Sequence, residues 1–184
     1  MKKVFFLIIT ILSIVQCTKE NSSNAEESSQ VQGEQPTQPT QQDQSNTFSL
    51  YVDDQEVKSG EQVCLDVQTT HFNSIISMQY TLNWDPNLLQ FTKLDNLNLA
   101  DFNEGNFNLQ RASKGQIISA WFDPNIQGIT KADESTIYSL CFDVIGSSGS
   151  SSYIYFGSDP TVIEMSDPSG QIEFYSPRTT ISIQ

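Results

Sequence analysis

Histidine occurs once in this chain, at His71, and cysteine three times, at Cys17, Cys64 and Cys141. A single histidine excludes a His-rich metal centre. His71 lies between Thr70 and Phe72 at the end of a strand-like run and reads as a solvated loop residue. No serine stands in a nucleophile motif, so a Ser-His-Asp triad has no support. The Gly-Ser-Ser-Gly of residues 146–149 lacks the lysine and the following helix of a phosphate loop. Basic residues are also scarce. Lys and Arg number 9 against 22 Asp and Glu, a net charge of −13. Nucleic-acid binding needs a basic face, so that class of partner is excluded. Nothing here assembles catalytic chemistry, and the chain reads as a non-enzyme without a cofactor.

Long apolar runs are absent except at the start. Met1-Lys2-Lys3 precedes an almost wholly apolar run from Val4 to Val15. Two lysines before a run shorter than the roughly 20 residues of a spanning helix read as a secretory signal peptide, residues 1–16. The run ends Leu12-Ser-Ile-Val-Gln-Cys17, similar to a bacterial lipobox, with Gln16 where a small residue is usual. Cys17 is therefore the expected lipidation site. Residues 17–46 are Ser, Gln, Asn, Glu, Thr and Pro with almost nothing apolar, a composition that cannot offset the entropy of ordering. The layout predicts an exported lipoprotein on a polar tether, held to the bacterial envelope at the outer membrane or cell surface.

Residues 47–184 form one domain, with 17 Asp and Glu against 6 Lys and Arg. No stretch has helical periodicity. Strand-like runs recur between turn signals: Phe48–Val52, Gln62–Thr69, Ile75–Trp84, Leu89–Leu94, Asn106–Arg111, Gly115–Phe122, Thr136–Ile145, Tyr153–Gly157 and Thr179–Gln184. A separate hairpin is expected around Asp167-Pro-Ser-Gly170. Many short strands divided by Gly, Pro, Asn and Asp predict an all-β fold, a nine-stranded antiparallel sandwich of jelly-roll type. The plainest strand is Ser77–Asn83. Ser77, Gln79, Thr81 and Asn83 face one way and Met78, Tyr80 and Leu82 the other. It stops at Trp84-Asp-Pro86, where Asp85 is placed to cap the corner.

This strand, its Trp-Asp-Pro corner and the Leu88-Leu89 pair resemble cohesin domains, the sandwich receptors of dockerin modules. The resemblance extends along the domain: Phe48-Ser-Leu-Tyr-Val52 as first strand, Ser59-Gly-Glu-Gln-Val63 as the turn into the second, Gly115-Gln-Ile-Ile-Ser-Ala-Trp-Phe122 as the sixth, and Ile137-Tyr-Ser-Leu-Cys-Phe-Asp-Val144. It implies non-covalent recognition of a protein partner on an open sheet face. By alternation that face carries Ser77, Gln79, Thr81 and Asn83, with Trp121, Tyr153 and Tyr155 as exposed aromatics. Ile118, Ala120 and Phe122 take the inward parity. Ser77 and Gln79 stand where many cohesins have Asn and Asp. A packed Trp121, covered by Asp123 to Asp133, is the alternative, and polysaccharide stacking on the three aromatics is the rival function.

Two further expectations concern pairs and clusters. Cys64 and Cys141 lie on the outward faces of runs whose cohesin counterparts are neighbours, so a disulfide is expected. Asp95, Asp101 and Glu104 share a loop but lack EF-hand spacing, and no metal site is assigned to them.

Overall fold

A computed structural model describes residues 46–184; the expected signal peptide, Cys17 and most of the tether lie outside them. Thirteen strands are present among the described residues, in the order β1 (Phe48–Tyr51), β2 (Gln55–Val57), β3 (Gln62–Thr70), β4 (Ser77–Asn83), β5 (Leu89–Asp95), β6 (Phe107–Asn108), β7 (Gln116–Phe122), β8 (Ser135–Val144), β9 (Ser151–Gly157), β10 (Glu164–Asp167), β11 (Gly170–Gln171), β12 (Phe174–Tyr175) and β13 (Thr179–Ile183). They form two sheets. The first runs β12-β1-β3-β8-β5. In the second, β4 is central. One of its edges carries β7 and then β6, while the other carries β10 with β11 and, further along, β9 followed by β13 and β2. The sheets face one another and bury Leu65, Leu140 and Phe142 of the first against Tyr80, Leu82, Ile154 and Ile181 of the second.

The all-β sandwich agrees with the alternation in the sequence; the strand count does not. Four extra strands are short. The expected hairpin is β10 and β11, turning at Asp167–Gly170. The other two, β2 and β12, pair parallel to β13 and β1, so the sandwich is not wholly antiparallel. Strands of two or three residues carry too little periodicity to be read from sequence.

Cys64 and Cys141 lie directly opposite each other on β3 and β8 and form a disulfide. Across the core, the Tyr80 hydroxyl donates to that of Tyr138 at 3.1 Å. Both rings are fully buried, and desolvation pushes the Tyr80 phenol up to about 12 and raises that of Tyr138 well above its ordinary value. His71 is a loop residue as expected, in the bend after β3, but it is only partly solvated. It has φ 54°, its backbone N–H donates to Asp133, and its half-buried ring borders a cleft with Phe48, Ile75 and Ile172.

Candidate functional site

The Trp84-Asp-Pro86 corner sets the register of the second sheet. Trp84 Nε1 donates to the Leu89 carbonyl, and its indole packs edge-on to Phe142. The Asp85 carboxylate accepts the Asn87 backbone N–H, as expected of a corner cap. Behind the corner, the Trp84 N–H donates to the carbonyl of Gly115. Gly115 has φ 75°, and a Cβ there would stand 2.2 Å from the Trp84 carbonyl oxygen. Only glycine fits. With Gly115 pinned, β7 pairs with β4 so that Ile117 faces Leu82, Ser119 faces Tyr80 and Trp121 faces Met78.

That register reverses the expected parity of β7. Ile117, Ser119 and Trp121 point into the core, while Ala120 and Phe122 are exposed and Ile118 is half-buried on the outer face. Trp121 is 2% exposed; its Nε1 donates to the Ala100 carbonyl at 2.9 Å and its ring packs edge-on to Phe102. It is therefore no surface platform, and its cover is the segment around Ala100 and Phe102, not Asp123 to Asp133. The strand is apolar on both faces, so its own sequence does not fix the parity. The partner strand does, through the buried Met78, Tyr80 and Leu82.

The outer face is a lattice of rows set by these registers. Phe122, Ser77 and Ser166 form one row; Ala120, Gln79 and Glu164 the next; then Ile118, Thr81 and Gly157; then Gln116, Asn83 and Tyr155. Ser77, Gln79, Thr81 and Asn83 do point outward, but only the first two are accessible. The connection 158–163, between β9 and β10, folds over β4. The Thr161 N–H donates to Thr81 Oγ1 at 3.3 Å, and Gln79 Nε2 donates to the Val162 carbonyl at 3.3 Å. Thr81 is thereby fully buried. Asn83 is buried as well, accepting from Gln116 Nε2 at 3.1 Å and donating to the carbonyls of Thr81 and Tyr155.

What remains falls into two parts, one on each side of this flap. On one side Ser77, Gln79, Asn106, Ala120, Phe122 and Glu164 line a shallow depression of about 310 Å³. Phe122 stands at its edge, 65% exposed, and Val162 of the flap is exposed as well. On the other side Tyr153 and Tyr155 project from β9, with the Arg178 guanidinium 3.9 Å from the Tyr153 ring centre and 5.4 Å from that of Tyr155. Phe122, Ala120, Glu164 and Arg178 also stand on this face, where the sequence pattern did not place them; the first two lie on the expected strand with the parity reversed.

The loop after β7 is stiffened by Asp123. Its carboxylate accepts the backbone N–H groups of Asn125, Gln127 and Gly128 at 2.9–3.0 Å. These bonds, that of Asn125 foremost, hold its carboxyl below the usual range. The Asp95 carboxylate, one of the three acids in the 95–104 stretch, is taken up by Lys93 at 2.6 Å and by the Asn96 N–H.

A family model of the cohesin domain matches residues 48–174. The chain belongs to the cohesin domain family. Solved structures agree on the fold. The chain is similar to the cohesin of a Clostridium thermocellum Coh-OlpA–Doc918 complex, with 13% identity, a TM-score of 0.63, and 76% of this chain and 100% of that one covered. It is likewise similar to the cohesin of the Coh-OlpC–Doc435 complex from the same organism, at 18% identity and a TM-score of 0.62 over 75% and 94% of the two chains. A non-cellulosomal cohesin from the archaeon Archaeoglobus fulgidus matches at 18% identity and a TM-score of 0.59, over 75% and 91%. No curated protein matches the chain. Two of these three relatives were solved as cohesin–dockerin complexes.

Proposed function

We propose that this cohesin is a non-catalytic receptor that docks a protein partner, a dockerin-bearing protein, on the outer face of β7, β4 and β10. The observation that carries this reading is Phe122, an aromatic 65% exposed that lines a depression together with Ala120, Ser77, Gln79 and Glu164. A large aromatic beside small and polar neighbours is the composition of an interface hot spot, where the ring is desolvated and the polar groups find partners. The receptor is exported and anchored through lipid on Cys17 to the bacterial outer membrane or cell surface. Residues 17–46 serve as its polar tether.

The test is capture from the producing organism's secreted proteins on the immobilised protein, in calcium and in chelator. Calcium-dependent retention of a protein with duplicated calcium-binding loops is expected, since the calcium belongs to the dockerin. Retention insensitive to chelator, or none, would contradict the reading. The polysaccharide alternative loses Trp121 to the core, and its remaining platform has Arg178 stacked on Tyr153.

A further inference from the structure

Arg178, Tyr153 and Tyr155 stand together on the outer face of the second sheet, apart from the Phe122 depression. Thr180 pairs with Tyr153 and Thr179 with Ile154, and Thr179, Ile181 and Ile183 point inward, so Arg178 projects outward beside the two rings. Its guanidinium lies 3.9 Å from the Tyr153 ring centre and 5.4 Å from that of Tyr155. Stacking uses the faces of a planar guanidinium and leaves its N–H edge available. Lys93, Lys131 and Arg111 each end on an oxygen of this chain. The Arg178 side chain, among the described residues, makes no hydrogen bond or ion pair. On the neighbouring strand β2 and the residue before it, Asp54 accepts the Thr180 N–H and Glu56 accepts from Gln184.

We infer that Arg178, held on the Tyr153–Tyr155 pair, is a carboxylate-recognition site that takes an Asp or Glu side chain of the docking protein. The inference rests on the docking reading above. A guanidinium already oriented by two rings gives up little side-chain entropy on forming a bidentate pair, and the pair strengthens as docking excludes water. The domain is acidic overall, which favours a single carboxylate over a polyanionic chain. Strand spacing and rise place Arg178 roughly 25 Å from Phe122. One partner of ordinary footprint, about 800 Å² a side, spans both points and straddles the flap.

The test uses the protein with blocked glutamate (N-acetyl, N-methylamide) and its glutamine analogue, followed by NMR of the Arg178 Nε–H and the Tyr153 ring. Saturable shifts with the glutamate compound are expected. They should weaken at least fivefold with the glutamine compound and in Arg178→Gln, shrink in Arg178→Lys, and fall with added salt. Equal responses to the two compounds, shifts unchanged in Arg178→Gln, or no saturable response would overturn the assignment. Tighter binding of galacturonate than of blocked glutamate would overturn it in favour of an acidic sugar. Failure here, with capture still lost on Phe122→Ala, removes only this site. Capture indifferent to Phe122 removes the docking reading instead.

Discussion

Trp121 and Phe122 are adjacent aromatics with opposite fates, and they separate the account most sharply at the residue scale. Trp121 fills the core under Phe102 and donates its indole N–H to Ala100. Its replacement by alanine is expected to destabilise the fold by about 3–5 kcal/mol, as lost burial and a cavity add together. Phe122→Ala removes an exposed ring and is expected to change stability by less than about 0.5 kcal/mol. Urea unfolding followed by circular dichroism measures both; a Phe122 variant as unstable as the Trp121 variant would show the parity of β7 to be wrong. The buried Tyr80–Tyr138 pair has a pH signature. An unfolded chain loses its phenol protons near pH 10, whereas Tyr80 holds its proton to about 12. The folded state therefore binds more protons above pH 10 and loses stability as pH climbs beyond it. A urea midpoint falling between pH 9 and 11, and falling less in Tyr80→Phe, is the expected result; equal slopes would contradict it.

At the scale of elements, β4 and its Trp-Asp-Pro corner were legible because one face is apolar and the other polar in strict alternation. Alternation put Cys64 and Cys141 on outward faces, and the resemblance to cohesins, whose corresponding strands are neighbours, implied that they meet. What the sequence did not disclose has physical reasons. Strand β7 has apolar residues on both sides, so its parity is decided by Gly115 and by β4, which no local pattern records. The flap reads as an ordinary Ser-Asp-Pro-Thr turn, and its burial of Thr81 depends on a hydrogen bond between residues 80 positions apart. The disulfide joins residues 77 apart in sequence, and its loss is expected to lower stability by about 4–5 kcal/mol in the chain-entropy account. Comparing oxidised protein with Cys64→Ser/Cys141→Ser in urea checks this; equal midpoints would refute it. The loop held by Asp123 adds an acid response. Its carboxyl is depressed in the folded state, so its contribution is present above the unfolded value of about 4 and is lost as pH falls through the lower folded one. Amide exchange at Asn125, Gln127 and Gly128 should accelerate in Asp123→Ala already at neutral pH. Unchanged exchange would mean that the carboxylate does not hold the loop.

Taken whole, the molecule is an acidic sandwich that leaves part of one sheet face open. The cohesin fold supplies the scaffold, and two accessible features are set into it: the Phe122 depression and the Arg178–tyrosine platform. The flap between them narrows the surface relative to the full set of outward residues on β4, because Thr81 and Asn83 are buried beneath it or bonded within the sheet. The measurement that tests the central claim most directly is the dissociation constant of a captured dockerin-bearing protein for the native chain and for Phe122→Ala. A rise of about tenfold or more, some 1.4 kcal/mol, with an unchanged urea midpoint is the predicted result. Equal constants for the two proteins would show that docking does not use this face.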